Sequence, residues 1–127
     1  MPNILEHIKR ILLIGISCWA SYNLQAQRET EVFIPIGKSP GVSGKLSVIG
    51  KVAEVNARDS TVTIGQGAST KTVKLTGSTE IFLDKSKIKL TNTSGSFTDI
   101  RNGLTVEAKY KDNQGGRLIE WIKVQLE

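Results

Sequence analysis

From Leu46 to the C-terminus the chain is written in short runs that alternate apolar and polar residues at period two. That period puts successive side chains on opposite faces of an extended backbone, so each run has one face to bury and one to leave wet. Helical spacing is almost absent, and an all-β domain follows. The runs "LSVIGKVAEVN" (46–56), "STVTIG" (60–65), "TKTVKLT" (70–76), "EIFL" (80–83), "LTVEAKYK" (104–111) and "LIEWIKVQL" (118–126) are read as strands. They are rich in Val, Ile and Thr and separated by turn residues, with "ARDS" and "QGAS" at hairpin length and "DNQGG" suited to a tight turn.

One stretch departs from the pattern. In "SGSFTDIRNG" (94–103), Ser96 and Asp99 have the spacing of a capping box, and the closing "NG" suits left-handed geometry. A single helical turn near 97–102 is expected, with Phe97 and Ile100 plugging one end of the sheet. Gly50 in the middle of the long first strand would let that strand bend and serve two sheets. Five or six antiparallel strands, a bent opener and a short plug specify a small barrel, closed or partly open, because closure removes exposed strand edges.

The segments "GKVAEVNARDSTVTI", "KTVKLTGSTEIFLD", "FTDIRNGLTVEAKY" and "IEWIKV" resemble small exported bacterial β-barrel domains of the OB type, including families described only as domains of unknown function. The resemblance spans about residues 48–125. It implies an OB-like barrel and an exported location, and it carries over no catalytic residue.

The N-terminus has its own logic. Lys9 and Arg10 precede an apolar run from Ile11 to Ala20, too short for a bilayer span, which needs about 20 apolar residues. A basic start, an apolar centre and a polar stretch ending in Ala26 are the parts of a signal peptide, with Gln27 as the new first residue. A competing reading makes "GISC" a lipobox and Cys18 an acylated anchor, although Gly15 sits where a branched aliphatic is usual. The expected organisation is a signal peptide at 1–26, an extended linker at 27–45 with Pro35 and Pro40, and a barrel at 46–127. The expected location is the periplasm, with membrane attachment only if Cys18 is lipidated.

Removal of residues 1–26 takes away the chain's only histidine, His7, and its only cysteine, Cys18. The remainder then has no thiolate nucleophile, no imidazole base and none of the usual soft-metal or haem ligands. No enzyme activity and no cofactor are expected. Glu54, Asp59, Glu80, Asp84, Asp99, Glu107 and Glu120 could act as acid and base only by converging in space, and no spacing singles out a pair. Neither "DKSK" nor "DNQGG" has the ligand run of a calcium loop, and "GKSPGVSGK" is not a phosphate loop. The whole chain has 17 basic and 12 acidic residues; without Lys9, Arg10 and Glu6 the remaining 101 residues carry 15 and 11, a net charge of +4. That charge is scattered, and nucleic acid is not expected as a partner.

Two sets of residues are candidate sites. If "DNQGG" is a turn, Tyr110 faces Leu118, Val106 faces Ile122 and Leu104 faces Val124 on the inner side, leaving Ile119 and Trp121 outside among charges. Either Val32, Phe33, Ile34 and Ile36 fold back over them, or these apolar groups meet another protein. The leading expectation is protein–protein binding, in self-assembly or as an accessory subunit of a periplasmic complex, through Phe33, Ile34, Ile119 and Trp121. The alternative is a module binding a small ligand, glycan or anionic polymer through Lys71, Lys74, Lys85, Lys87 and Lys89, the last three sharing a side if "KSKIK" is extended.

Overall fold

In a computed structural model the chain folds into seven strands, and residues 30–112 and 116–127 are described. The strands are β1 (Ser47–Asn56), β2 (Thr61–Gln66), β3 (Ser69–Lys74), β4 (Glu80–Asp84), β5 (Thr93–Ser94), β6 (Thr105–Tyr110) and β7 (Ile119–Gln125). All belong to one compact unit, Val32–Glu127. The signal peptide expected at 1–26 lies outside the described residues, as does the centre of the "DNQGG" turn.

The sheet order is β3-β2-β1-β6-β7-β4-β5. Every pairing is antiparallel except β4 with β7, which departs from the all-antiparallel expectation. The reason is connectivity: β4 follows β3 around the barrel instead of folding back on it, and so reaches β7 running in the same direction. The sheet curls until its ends approach. Lys74 at the end of β3 bridges Leu118, and its N–H donates to the Arg117 carbonyl at 2.8 Å. Contact at that point and a break between β3 and β4 make an all-β, partly open barrel.

Gly50 works as the period-two reading requires. Lys51–Asn56 of β1 pair with β2, while Ser47–Lys51 pair with β6. At the changeover a Cβ on Gly50 would stand 1.9 Å from the Gly65 carbonyl oxygen, so only glycine lets the two backbones approach. Inside the barrel Val52, Val62, Ile64, Val106, Ala108 and Val124 are buried, and Ile100 joins them from the end of a 3-10 turn at Phe97–Asp99. The Ser96 N–H donates to Asp99 Oδ2 at 2.8 Å, the capping arrangement expected there. Phe97 is half-buried against the core, so the plug forms.

The last hairpin differs in register. Val106 pairs with Val124 and Ala108 with Ile122, two residues from the expected alignment, which keeps the same faces inward. A bulge then lets Lys109 face Trp121 while Tyr110 faces Ile119. The extra residue, Glu120, reverses the alternation locally. Ile119 therefore enters the inner core instead of sharing the outer face with Trp121.

Replacing Gly50 by alanine is expected to destabilise the fold by about 2 kcal/mol or more, because the obstacle is backbone that cannot swing away. A fall in the urea midpoint with an unchanged transition slope is the measurement.

Candidate functional site

Of the linker expected at 27–45, the described part from residue 30 onward is a strap, its backbone bound across the outer face of β4, β7 and β6. Three buried charged side chains on adjacent strands hold it: Asp84 on β4, Lys123 on β7 and Glu107 on β6. Lys123 Nζ donates to the Ile34 carbonyl at 2.8 Å and to Ser39 Oγ at 3.1 Å. It also sits 4.5 Å from the centroid of the Trp121 ring, a cation–π contact strengthened by the absence of water. Asp84 Oδ2 accepts from the Ile36 N–H and Glu107 Oε1 from the Gly37 N–H, both at 2.9 Å. Charged hydrogen bonds to consecutive amides fix the path of the strap without reading its side chains.

The strap ends in a set of tight turns. The Val42 and Ser43 N–H groups return to the Ser39 carbonyl, Leu46 N–H returns to Val42, and Gly41 and Gly44 adopt positive φ. Ser47 Oγ then donates to Glu107 Oε2 at 2.7 Å and accepts from the Gly44 N–H at 3.1 Å. The same carboxylate thus holds the middle of the strap and its exit.

That exit forms one wall of a cleft of about 640 Å³ at the end of the barrel. Gly44, Lys45 and Leu46 line it from the strap, Thr70, Lys71 and Thr72 from β3, and Gly116 and Arg117 from the approach to β7, with Tyr110 and Asp112 between them. Among the described lining residues, three cations from three separate segments accompany one carboxylate. Burial pushes the Tyr110 phenol up from its ordinary value of 10.0, so it is a neutral hydroxyl at physiological pH, able to donate or accept. Hydroxyls, cations and one ring suit a polar, anionic guest.

The expected site residues fall in different places. Ile119 is in the core and Trp121 is buried beside Phe82 and Lys123, with its ring centroid 6.5 Å from that of Phe82. Ile34 is half-buried, and Phe33 is exposed. The segment expected to cover Ile119 and Trp121 is held by charge and backbone hydrogen bonds, through Lys123 at Ile34 and Asp84 at Ile36. Of the five lysines only Lys71 lines the cleft; Lys45, Tyr110 and Arg117 had no motif to mark them. "KSKIK" is not extended: Ser86–Ile88 form a 3-10 turn and Lys89 is left-handed, so Lys85, Lys87 and Lys89 do not make one row. Lys74 lies at the seam where β3 meets Leu118. Among the described residues no group of three His, Cys, Asp or Glu side chains is placed to hold a metal ion, and no helix is long and apolar enough to cross a membrane.

Glu107→Ala is expected to cost about 3 kcal/mol, because it strands the Gly37 N–H and the Ser47 hydroxyl and removes the carboxylate opposite Lys123. Faster amide exchange at Ile36 and Gly37, ahead of the barrel strands, separates loss of the strap from global unfolding. Asp84 adds a pH dependence. Burial pushes its carboxyl up, but bonds from the Ser86 hydroxyl, the Ile36 and Ser86 amides and the charge of Lys123 outweigh this and leave it below the ordinary value of 3.8. A depressed carboxylate stabilises fully above its unfolded value and loses that contribution as pH falls through the folded one. Urea stability should therefore hold its Asp84 contribution down to about pH 3.8 and lose it below, and Asp84→Asn should remove that part of the acid dependence.

No protein-family model matches the chain, and no curated protein does. Two solved structures are similar in chain path. One is a crystal structure of CusF with silver(I), at 19% identity and a TM-score of 0.41, covering 61% of this chain and 93% of that one. The other is a tryptophan-to-alanine variant of Escherichia coli CusF with copper(II), at 17% identity and a TM-score of 0.44, covering 64% and 91%.

Proposed function

We propose that this chain is a non-catalytic, exported binding protein that takes a small organic anion, or one segment of an anionic polymer, into the cleft at the end of its barrel. The observation that carries the reading is the convergence of Lys45, Lys71 and Arg117 on one concave site with Asp112 as the single carboxylate among the described lining residues. The volume, about 640 Å³, is that of a site for a sugar- or nucleotide-sized guest. Arginine supplies a planar fork for a carboxylate or phosphate, and the lysines supply mobile point charges. Acid–base hydrolysis needs two carboxyl groups flanking the scissile bond, and among the described residues the cleft wall carries one. Asp84 and Glu107, buried under the strap, already hold backbone amides.

The silver and copper held by the two CusF proteins are not carried over to this chain. Residues 27–127 contain no His, Cys or Met, so the soft donors that select those ions are missing. Protein binding through Phe33, Ile34, Ile119 and Trp121 would have to use a surface from which Ile119 and Trp121 are withdrawn.

Titration calorimetry with oligogalacturonate and with inorganic tripolyphosphate tests the reading. At least one should bind, and Lys71→Glu and Arg117→Glu should each weaken it about tenfold, as loss of a charge-assisted contact implies. Affinity should also fall steeply as salt is raised. No binding of either anion, or binding indifferent to both substitutions, would refute the proposal.

A further inference from the structure

At the opposite end of β7 from the cleft, the loop after β4 makes a second surface of a different kind. Ile88 and Leu90 are exposed there at 38% and 61%, and Lys85, Lys87 and Lys89 alternate with the serine and the isoleucine between them. The loop is firmly built. Buried Asn92 accepts the Lys85 N–H at 2.7 Å through Oδ1, and buried Asp84 accepts the Ser86 N–H and hydroxyl at 3.0 and 2.6 Å. The Ile88 and Leu90 N–H groups both return to the Lys85 carbonyl. Lys89 adopts φ 60°, ψ 35°, a left-handed conformation that costs a non-glycine residue energy. A hydrogen-bonded loop that carries backbone strain and still leaves two aliphatic side chains in water is not explained by the stability of the barrel.

The surroundings add to it. Among the described residues four large apolar side chains are exposed: Phe33, Ile88, Leu90 and Leu118. Leu118 lies at the cleft end. Phe33, 57% exposed, is three residues before Ile36, whose N–H bonds Asp84 next to the loop, so at most about 10 Å of chain separates it from that anchor. The loop from Lys85 to Leu90 holds three cations and no acid. Two acids stand beside it: buried Asp84, whose carboxylate accepts from Ser86 and the Ile36 amide, and Glu127, which stands 3.7 Å from Lys87, the Lys87 and Glu127 side chains both more than half exposed.

We propose that this loop is a membrane-surface attachment site for an anionic bilayer, with Ile88 and Leu90 entering the headgroup region and Lys85, Lys87 and Lys89 meeting lipid phosphates. Charge complementarity selects the occupant: two exposed aliphatic side chains on a six-residue loop that also carries three lysines match an interface that is apolar below and negative above. The attachment is shallow and reversible, and it does not depend on the cleft or on the fate of Cys18.

Co-sedimentation of the protein recovered from the exported fraction tests it, using vesicles of phosphatidylglycerol with phosphatidylethanolamine and vesicles of phosphatidylcholine alone. Wild type should bind the anionic vesicles about tenfold more than the neutral ones and release in about 0.5 M salt. The exposed double variants Ile88→Ser with Leu90→Ser, and Lys87→Glu with Lys89→Glu, should each lose about tenfold in binding while keeping the near-ultraviolet signal of buried Trp121. Lys71→Glu in the cleft should bind the vesicles as wild type does. Failure of wild type to bind anionic vesicles, undiminished binding by both double variants, or loss of binding in Lys71→Glu would each overturn the proposal.

Discussion

The buried ammonium of Lys123 is the constraint around which the outer half of the molecule is arranged. A charge withdrawn from water is costly unless oxygen atoms surround it. Here they come from Ile34 and Ser39, residues more than eighty positions away in sequence, and the Trp121 ring supplies a further negative surface. Once the strap is in place its own amides need acceptors, and Asp84 and Glu107 on the flanking strands provide them. Each of the three charges makes at least one hydrogen bond to the strap. The strap is therefore part of the fold.

This arrangement also sets the position of the cleft. Glu107 grips Gly37 with one oxygen and Ser47 with the other, so the turn carrying Lys45 is tied to the strand that builds the barrel. The opposite wall depends on the isolated bridge between Lys74 and Leu118, where the curled sheet meets itself and the Lys74 N–H donates to the Arg117 carbonyl. A fully zipped seam would occupy β3 and β7 with each other over a longer stretch. Incomplete closure leaves Lys71 and Arg117 apart, with room between them.

The parts of the fold legible in sequence are those set by neighbours along the chain. Alternation placed six of the seven strands to within a residue or two and missed the two-residue β5, Gly50 announced the bend, and Ser96 with Asp99 announced the 3-10 turn. What escaped is non-local. Lys123 and Glu107 look like ordinary polar positions of a half-wet strand, and nothing local says that a distant segment buries them. Period two predicted Ile119 and Trp121 on one face, and a one-residue bulge at Glu120 separated them. "KSKIK" has the alternation of a strand, but Asp84 and Asn92 bind its amides and wind it into a turn. The cleft drew Lys45, Tyr110 and Arg117 from three segments with no shared motif, so only the topology could assemble them.

The strand β7 relates the two surfaces. Arg117, just before it, lines the cleft; Gln125, at its other end, pairs with Asp84, the residue that starts the lysine loop. Seven extended residues at about 3.3 Å each put roughly 23 Å between those ends. With the loop on a lipid headgroup layer, the cleft is held about three Debye lengths, at about 8 Å each, from the surface at physiological salt. At that distance the negative surface potential is largely screened, and the cations of the cleft do not compete for lipid phosphates. A guest anion then meets Lys45, Lys71 and Arg117 without repulsion from the membrane that holds the protein. Placed at the same end, the two cationic surfaces would merge into one, and the cleft would lose its guest to the far more abundant lipid headgroups.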